Sequence, residues 1–215
     1  MANRALVNRQ LRLTLITDGV GDLDRIEEIV GASILGGARC VQLREPNWSA
    51  RQMLQACERL TPKLEMVDGL LLVNDRVDVA ATRVAHGAQI GHRSLPPKMA
   101  RKVLGPSTIL GYSAHDEKEL SLAANHDCNF ALLSPVWPTT SKPDAVSLTV
   151  KRAAELTATA ALPVVWLGGV NSMTIGEIAT LPSAQQPIGI AVRSAIMQAN
   201  DPQAATAELL QAWPK

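Results

Sequence analysis

Eight short apolar runs divide this chain at intervals of 18 to 33 residues, and no other feature restricts its fold as strongly. They begin at Leu13, Cys40, Gly69, Gly87, Thr108, Phe130, Pro163 and Ile188. Each is of strand length without the three-to-four spacing of a helix face, so each reads as a buried strand. The expected spans are 13–18, 40–45, 69–75, 87–91, 108–113, 130–136, 163–167 and 188–192. Helical patterns separate them, and no two runs are joined by a two-residue turn. Neighbouring strands are therefore expected to pair in parallel through helical crossovers. Eight such units in roughly 200 to 250 residues is the arithmetic of a closed barrel, whereas an open doubly wound sheet needs only about five or six strands. No Gly-x-Gly-x-x-Gly follows the first run. The reading is α/β: a single (β/α)8 TIM barrel, one domain over 1–215 with the barrel itself at about 13–213.

The intervening segments carry their own start and stop signals. Asp22 or Asp24 caps a helix to about Gly36, with Ile26, Val30 and Ile34 on one face. Ser49 caps another that carries Met53, Ala56, Leu60 and Leu64. A short helix from Arg76 to Val84 is expected to turn Val77, Ala80 and Ala81 inward. Pro96-Pro97 opens the next, because proline is tolerated in a first helical turn. Further helices are expected from Asp116, Ser147, Ser172, Ser194 and Pro202.

Such a core must be aliphatic, since the chain has one Phe, one Tyr and four Trp. The same scarcity argues against a base-stacking surface, and a net charge of +1 argues against nucleic-acid or polybasic membrane partners. No apolar run reaches membrane-spanning length. Cys40, Cys57 and Cys128 share no metal-ligand or redox spacing, so they read as small core residues in a reducing compartment, the cytoplasm. The expected partners are small molecules, with a homo-oligomer possible.

The polar residues then fall in a pattern. In a barrel of this kind the carboxyl ends of the strands form one rim, and active sites are built there. Those ends carry Asp18; Gln42, Arg44 and Glu45; Asn74 and Asp75; His92 to Ser94; Ser113 and His115; Thr139 to Lys142; Gly168 and Gly169; and Arg193 and Ser194. Nearly every strand delivers a charged or hydrogen-bonding group to the same mouth. Each also has a plainer role open to it. Arg44 and Glu45 could form a rim ion pair, Asn74-Asp75 could cap the helix at Arg76, and His115 could sit beside a helix cap. His86, His92 and His126 lack a spacing that would gather zinc. The stretch 130–145 is the richest: an apolar strand, then Thr139, Thr140, Ser141 and Lys142 between Pro138 and Pro143. Three hydroxyls and an ammonium on a stiffened loop suit an anion. A glycine pair after the seventh strand and a backbone turn after the eighth suit a phosphate.

The runs Leu-Ile-Thr-Asp (15–18), Val-Gln-Leu-Arg-Glu (41–45), Val-Asn-Asp-Arg-Val-Asp-Val-Ala (73–80), Gly-Tyr-Ser-Ala-His (111–115), Ser-Pro-Val-Trp-Pro-Thr-Thr-Ser-Lys-Pro (134–143) and Leu-Gly-Gly-Val (167–170) resemble the thiamine phosphate synthase and TenI superfamily. The resemblance covers about 13–197, with one motif per strand end. It implies a transferase of thiamine biosynthesis that joins hydroxymethylpyrimidine pyrophosphate to thiazole phosphate and releases pyrophosphate. On that reading Gln42, Arg44 and Asn74 hold the pyrimidine, and Asp75 ligates Mg2+. Ser113 and Lys142 meet the pyrophosphate. Thr139, Ser141, Gly168, Gly169, Arg193 and Ser194 hold the thiazole phosphate. The catalytic residues are then Arg44, Ser113 and Lys142. Three positions depart from the family pattern: Pro46 replaces a lysine, Ser94 replaces a second magnesium-ligating aspartate, and Arg193 replaces an apolar residue. A weakened magnesium site is expected. The alternatives are a TenI-type thiazole tautomerase, in which His115 moves a proton without metal, and a non-catalytic phosphate-binding barrel.

Overall fold

A computed structural model describes residues 4–139 and 145–213. Its strands are β1 Leu13–Ile16, β2 Cys40–Leu43, β3 Leu70–Asn74, β4 Gly87–Ile90, β5 Ile109–Ala114, β6 Phe130–Leu133, β7 Val164–Leu167 and β8 Gly189–Val192. All neighbours pair in parallel, and β8 closes on β1 through Leu13↔Ile190 and Leu15↔Val192. The eight expected runs are the eight strands, most of them one to three residues shorter than expected. The sixth shortens most, since Ser134-Pro135 follows its last ladder residue and proline has no N–H to donate.

The helices are α1 Arg4–Gln10, α2 Leu23–Leu35, α3 Ala50–Glu65, α4 Val77–Ala81, α5 Pro97–Leu104, α6 Glu117–Asn125, α7 Val150–Thr159, α8 Ser172–Ala179, α9 Ser194–Met197 and α10 Pro202–Ala212. Their starts follow local chemistry. The Asp22 side chain accepts from the Arg25 backbone N–H, Ser49 and Gln52 form a reciprocal capping box, and Asp116, Asn171 and Asp201 cap in the same way. In α4 the buried residues are Val77, Val79 and Ala80, while Ala81 is exposed. That corrects the expected inward set: in one and a half turns, packing selects the branched side chain over the small one.

Alternation along the strands sorts the core into two shells. One side of each strand faces the helices, where Leu15, Val41, Leu43, Leu71 and Val73 pack with Ile26, Val30, Met53, Leu60 and Leu64. The other side fills the barrel: Ile16, Cys40, Leu70, Leu72, Ile109, Phe130, Leu132, Val165 and Ala191. Each Val, Leu, Ile or Phe among them stabilises by about 1.5–3 kcal/mol when fully buried. Val7 and Leu11 join this inner cluster, so α1 closes the amino-terminal end of the barrel. The carboxyl end is left as the open mouth. The three cysteines are buried and free, and burial pushes Cys40 and Cys57 up to about 12 and Cys128 to about 11. Among the described residues no helix is long and apolar enough to cross a membrane.

Candidate active site

The inner alternation of β2 to β5 ends in polar residues, and these are joined by hydrogen bonds. Gln42, 3% exposed, donates from Nε2 to Asn74 Oδ1 at 2.7 Å. Asn74 donates from Nδ2 to Asp75 Oδ2 at 2.7 Å. The Ser94 hydroxyl donates to the other Asp75 oxygen and itself accepts from the Gly91 N–H at 3.0 Å. Asp75 has φ +61°, a left-handed conformation that aspartate tolerates, and its N–H bonds to the Gln89 carbonyl at 2.9 Å. Its side chain therefore turns to the mouth instead of capping α4, whose first turn has no side-chain cap. One more link lies alongside: Gln89 Nε2 donates to Ser113 Oγ at 3.0 Å. Gln42 Oε1 and Gln89 Oε1 are buried acceptors with no partner among the described residues.

A second group gathers after β7 and β8. A cavity of about 540 Å3 is walled by Thr139, Gly168, Gly169, Arg193 and Ser194, among others. The glycine pair is required by shape. Gly168 has φ +97° and Gly169 φ +68°, and a Cβ on Gly169 would lie 2.4 Å from the Pro138 carbonyl oxygen. Only glycine lets the chain turn there with the loop after β6 packed against it. Five expected phosphate residues thus line one concavity. Thr140, Ser141 and Lys142 lie outside the described residues.

The remaining rim residues divide into working and bracing groups. Arg44 follows β2, is half-buried, and makes no side-chain hydrogen bond or ion pair with a described residue. Glu45, with which it could have formed a rim ion pair, is otherwise engaged. At 2% exposure, Glu45 accepts from the Gly19 and Gly21 backbone N–H groups at 3.1 and 2.9 Å, which folds the loop after β1 onto the mouth. Asp18 pairs with Arg25 at 2.9 Å, and Arg25 also donates to the Met197 carbonyl at the end of α9 at 2.6 Å. His115 is half-buried beside the cap of α6, with Nδ1 2.9 Å from Glu119 Oε2. His86 belongs to the fold: its Nδ1 accepts from the Leu71 N–H at 3.0 Å, and burial lowers its pKa.

Sequence reasoning missed Gln89. It stands in the middle of a four-residue strand, and only the alternation of β4 against Asn74 reveals that it faces inward. As for a metal, no group of three His, Cys, Asp or Glu among the described residues could hold one. At the mouth Asp75 presents a carboxylate, with the Ser94 hydroxyl against it. That donor set fits magnesium as the protein's share of a site completed by phosphate oxygens and water.

The family model for thiamine monophosphate synthase matches residues 13–196. The thiamine-phosphate synthase of Laribacter hongkongensis is 34% identical over 207 residues, 96% of each chain. That of Roseiflexus castenholzii is 36% identical over 185 residues, 85% of this chain and 78% of the relative. Among solved structures, thiamine phosphate pyrophosphorylase from Pyrococcus furiosus superimposes with a TM-score of 0.86 at 30% identity, covering 96% of both chains. 3-Hexulose-6-phosphate synthase, at a TM-score of 0.69 and 14% identity, shares the fold.

Proposed function

The chain belongs to the thiamine monophosphate synthase family, and from that premise we propose that it joins hydroxymethylpyrimidine pyrophosphate to thiazole phosphate. In that reaction the thiazole nitrogen forms a bond to the pyrimidine methylene carbon. The carbon–oxygen bond to pyrophosphate breaks, and its electron pair leaves with the pyrophosphate. Positive charge builds on the methylene and negative charge on the leaving oxygens. The protein must therefore place donors and cations on the leaving group and hold the nitrogen in line.

The convergence of both polar groups on one mouth carries this reading: the chain Gln42–Asn74–Asp75–Ser94 on one side, and the cavity of Gly168, Gly169 and Arg193 on the other. Gln42 and Asn74 would hold the pyrimidine, whose N–H donor would satisfy the buried Gln42 Oε1. Arg44, whose side chain has no partner among the described residues, and Ser113 would meet the pyrophosphate oxygens, joined by Lys142. Thr139, Ser141, the glycine pair, Arg193 and Ser194 would seat the thiazole phosphate. When bound, magnesium would neutralise the leaving pyrophosphate, and Asp75 with Ser94 would be the residues that hold it. Buried free thiols agree with work in a reducing cytoplasm.

A second reading rests on His115. Glu119 holds its Nδ1, which would orient the ring for proton transfer on a thiazole carboxylate phosphate. Incubating the protein with both synthase substrates and magnesium, and assaying for thiamine phosphate, separates the readings. Product supports the synthase, and its absence at every magnesium concentration sinks it.

A further inference from the structure

We propose that Gln89 is a positioning residue that fixes the direction of the Ser113 hydroxyl, making Ser113 a hydrogen-bond donor toward a phosphate oxygen at the mouth. The inference rests on the reading of Ser113 as a pyrophosphate contact. Gln89 is fully buried, paired across the sheet with Asn74 on β3 and with Gly111 on β5. Ser113 lies one inward position above Gly111, and Gln89 reaches up to it, donating from Nε2 to Oγ at 3.0 Å. A serine oxygen that accepts a hydrogen bond keeps its own O–H for another acceptor. No described residue takes that proton. Ser113 therefore presents an O–H to the mouth, where an anionic oxygen is the natural acceptor.

The bare Cα of Gly111 makes room for the Gln89 side chain: an added Cβ there would fall 2.0 Å from Gln89 Oε1 and 2.4 Å from Phe130. Turning the amide over would place its oxygen against Ser113 Oγ, and the hydroxyl would then donate inward and be lost to a ligand. The neighbouring pair has the same logic. The Gly91 N–H donates to Ser94 Oγ, which sends the Ser94 proton to Asp75. Two serines at the mouth are thus set as donors by groups beneath them.

The test is Gln89→Leu, which removes the amide and keeps most of its volume, measured beside Ser113→Ala and the double variant. Pyrophosphate affinity should fall about tenfold, as for one lost hydrogen bond, with no further loss when Ser113→Ala is added; unchanged or additive loss overturns the proposal. A wild type that binds pyrophosphate but makes no thiamine phosphate would refute the functional reading while leaving this result intact.

Discussion

Replacing Gly169 with alanine tests whether the wall of the phosphate cavity is built as described. The residue sits at φ +68°, where a side chain costs about 1–2 kcal/mol. The new methyl would also lie 2.4 Å from the Pro138 carbonyl oxygen and 2.7 Å from Trp137 Cβ. Both neighbours belong to the loop after β6, and overpacking of this kind adds about 1–3 kcal/mol. If the loop holds, stability should fall by about 2–5 kcal/mol, or about 4–20 °C in Tm for a domain of this size. If the loop yields, the Tm change shrinks, but Thr139 moves with it and binding of thiazole phosphate weakens. Calorimetric melting and a ligand titration together cover both cases. Gly176 is the control: it lies inside α8 with nothing within 4 Å of an added Cβ. Gly176→Ala should therefore stabilise by about 0.5–1 kcal/mol. A Gly169→Ala protein with unchanged Tm and unchanged affinity would refute the reasoning.

Two further outcomes are expected. Ser94→Asp sets a second carboxylate against Asp75, so the metal-free variant should melt lower than wild type and bind magnesium at least about tenfold more tightly by calorimetry; equal magnesium affinity would count against Asp75 as a ligand. His86 is neutral in the fold, with a pKa lowered by burial. Its contribution is therefore present above the unfolded value near 6.5 and is lost as pH falls through the lower folded value. Unfolding free energy should decline over that acid range, and less steeply in His86→Gln; identical slopes would show that His86 is not responsible.

The sequence made the barrel legible because strand runs, parallel crossovers and polar strand ends all repeat with one unit. Asp75, Ser113 and the glycine pair stood out for the same reason, each at a carboxyl end. What stayed hidden depends on contacts between distant segments. Glu45 could have paired with its neighbour Arg44, but it holds backbone amides of Gly19 and Gly21, more than twenty residues away. Gln89 is a polar residue inside an apolar strand, and the pairing of β4 with β5 places it beneath Ser113. Helix α1 has too few residues to show a period, and its role appears once Val7 and Leu11 are seen in the inner cluster. The expected contributions of Ser141 and Lys142 lie outside the described residues.

The most direct test of the central claim compares Asp75→Ala with His115→Ala in the magnesium-dependent formation of thiamine phosphate. Asp75 ends the hydrogen-bond chain from Gln42 and Asn74, whereas His115 is tied to Glu119 at the edge of the mouth. Loss of product with Asp75→Ala and a small change with His115→Ala is the predicted result. The opposite order, with metal-independent isomerisation of thiazole carboxylate phosphate and no thiamine phosphate at any magnesium concentration, would contradict it.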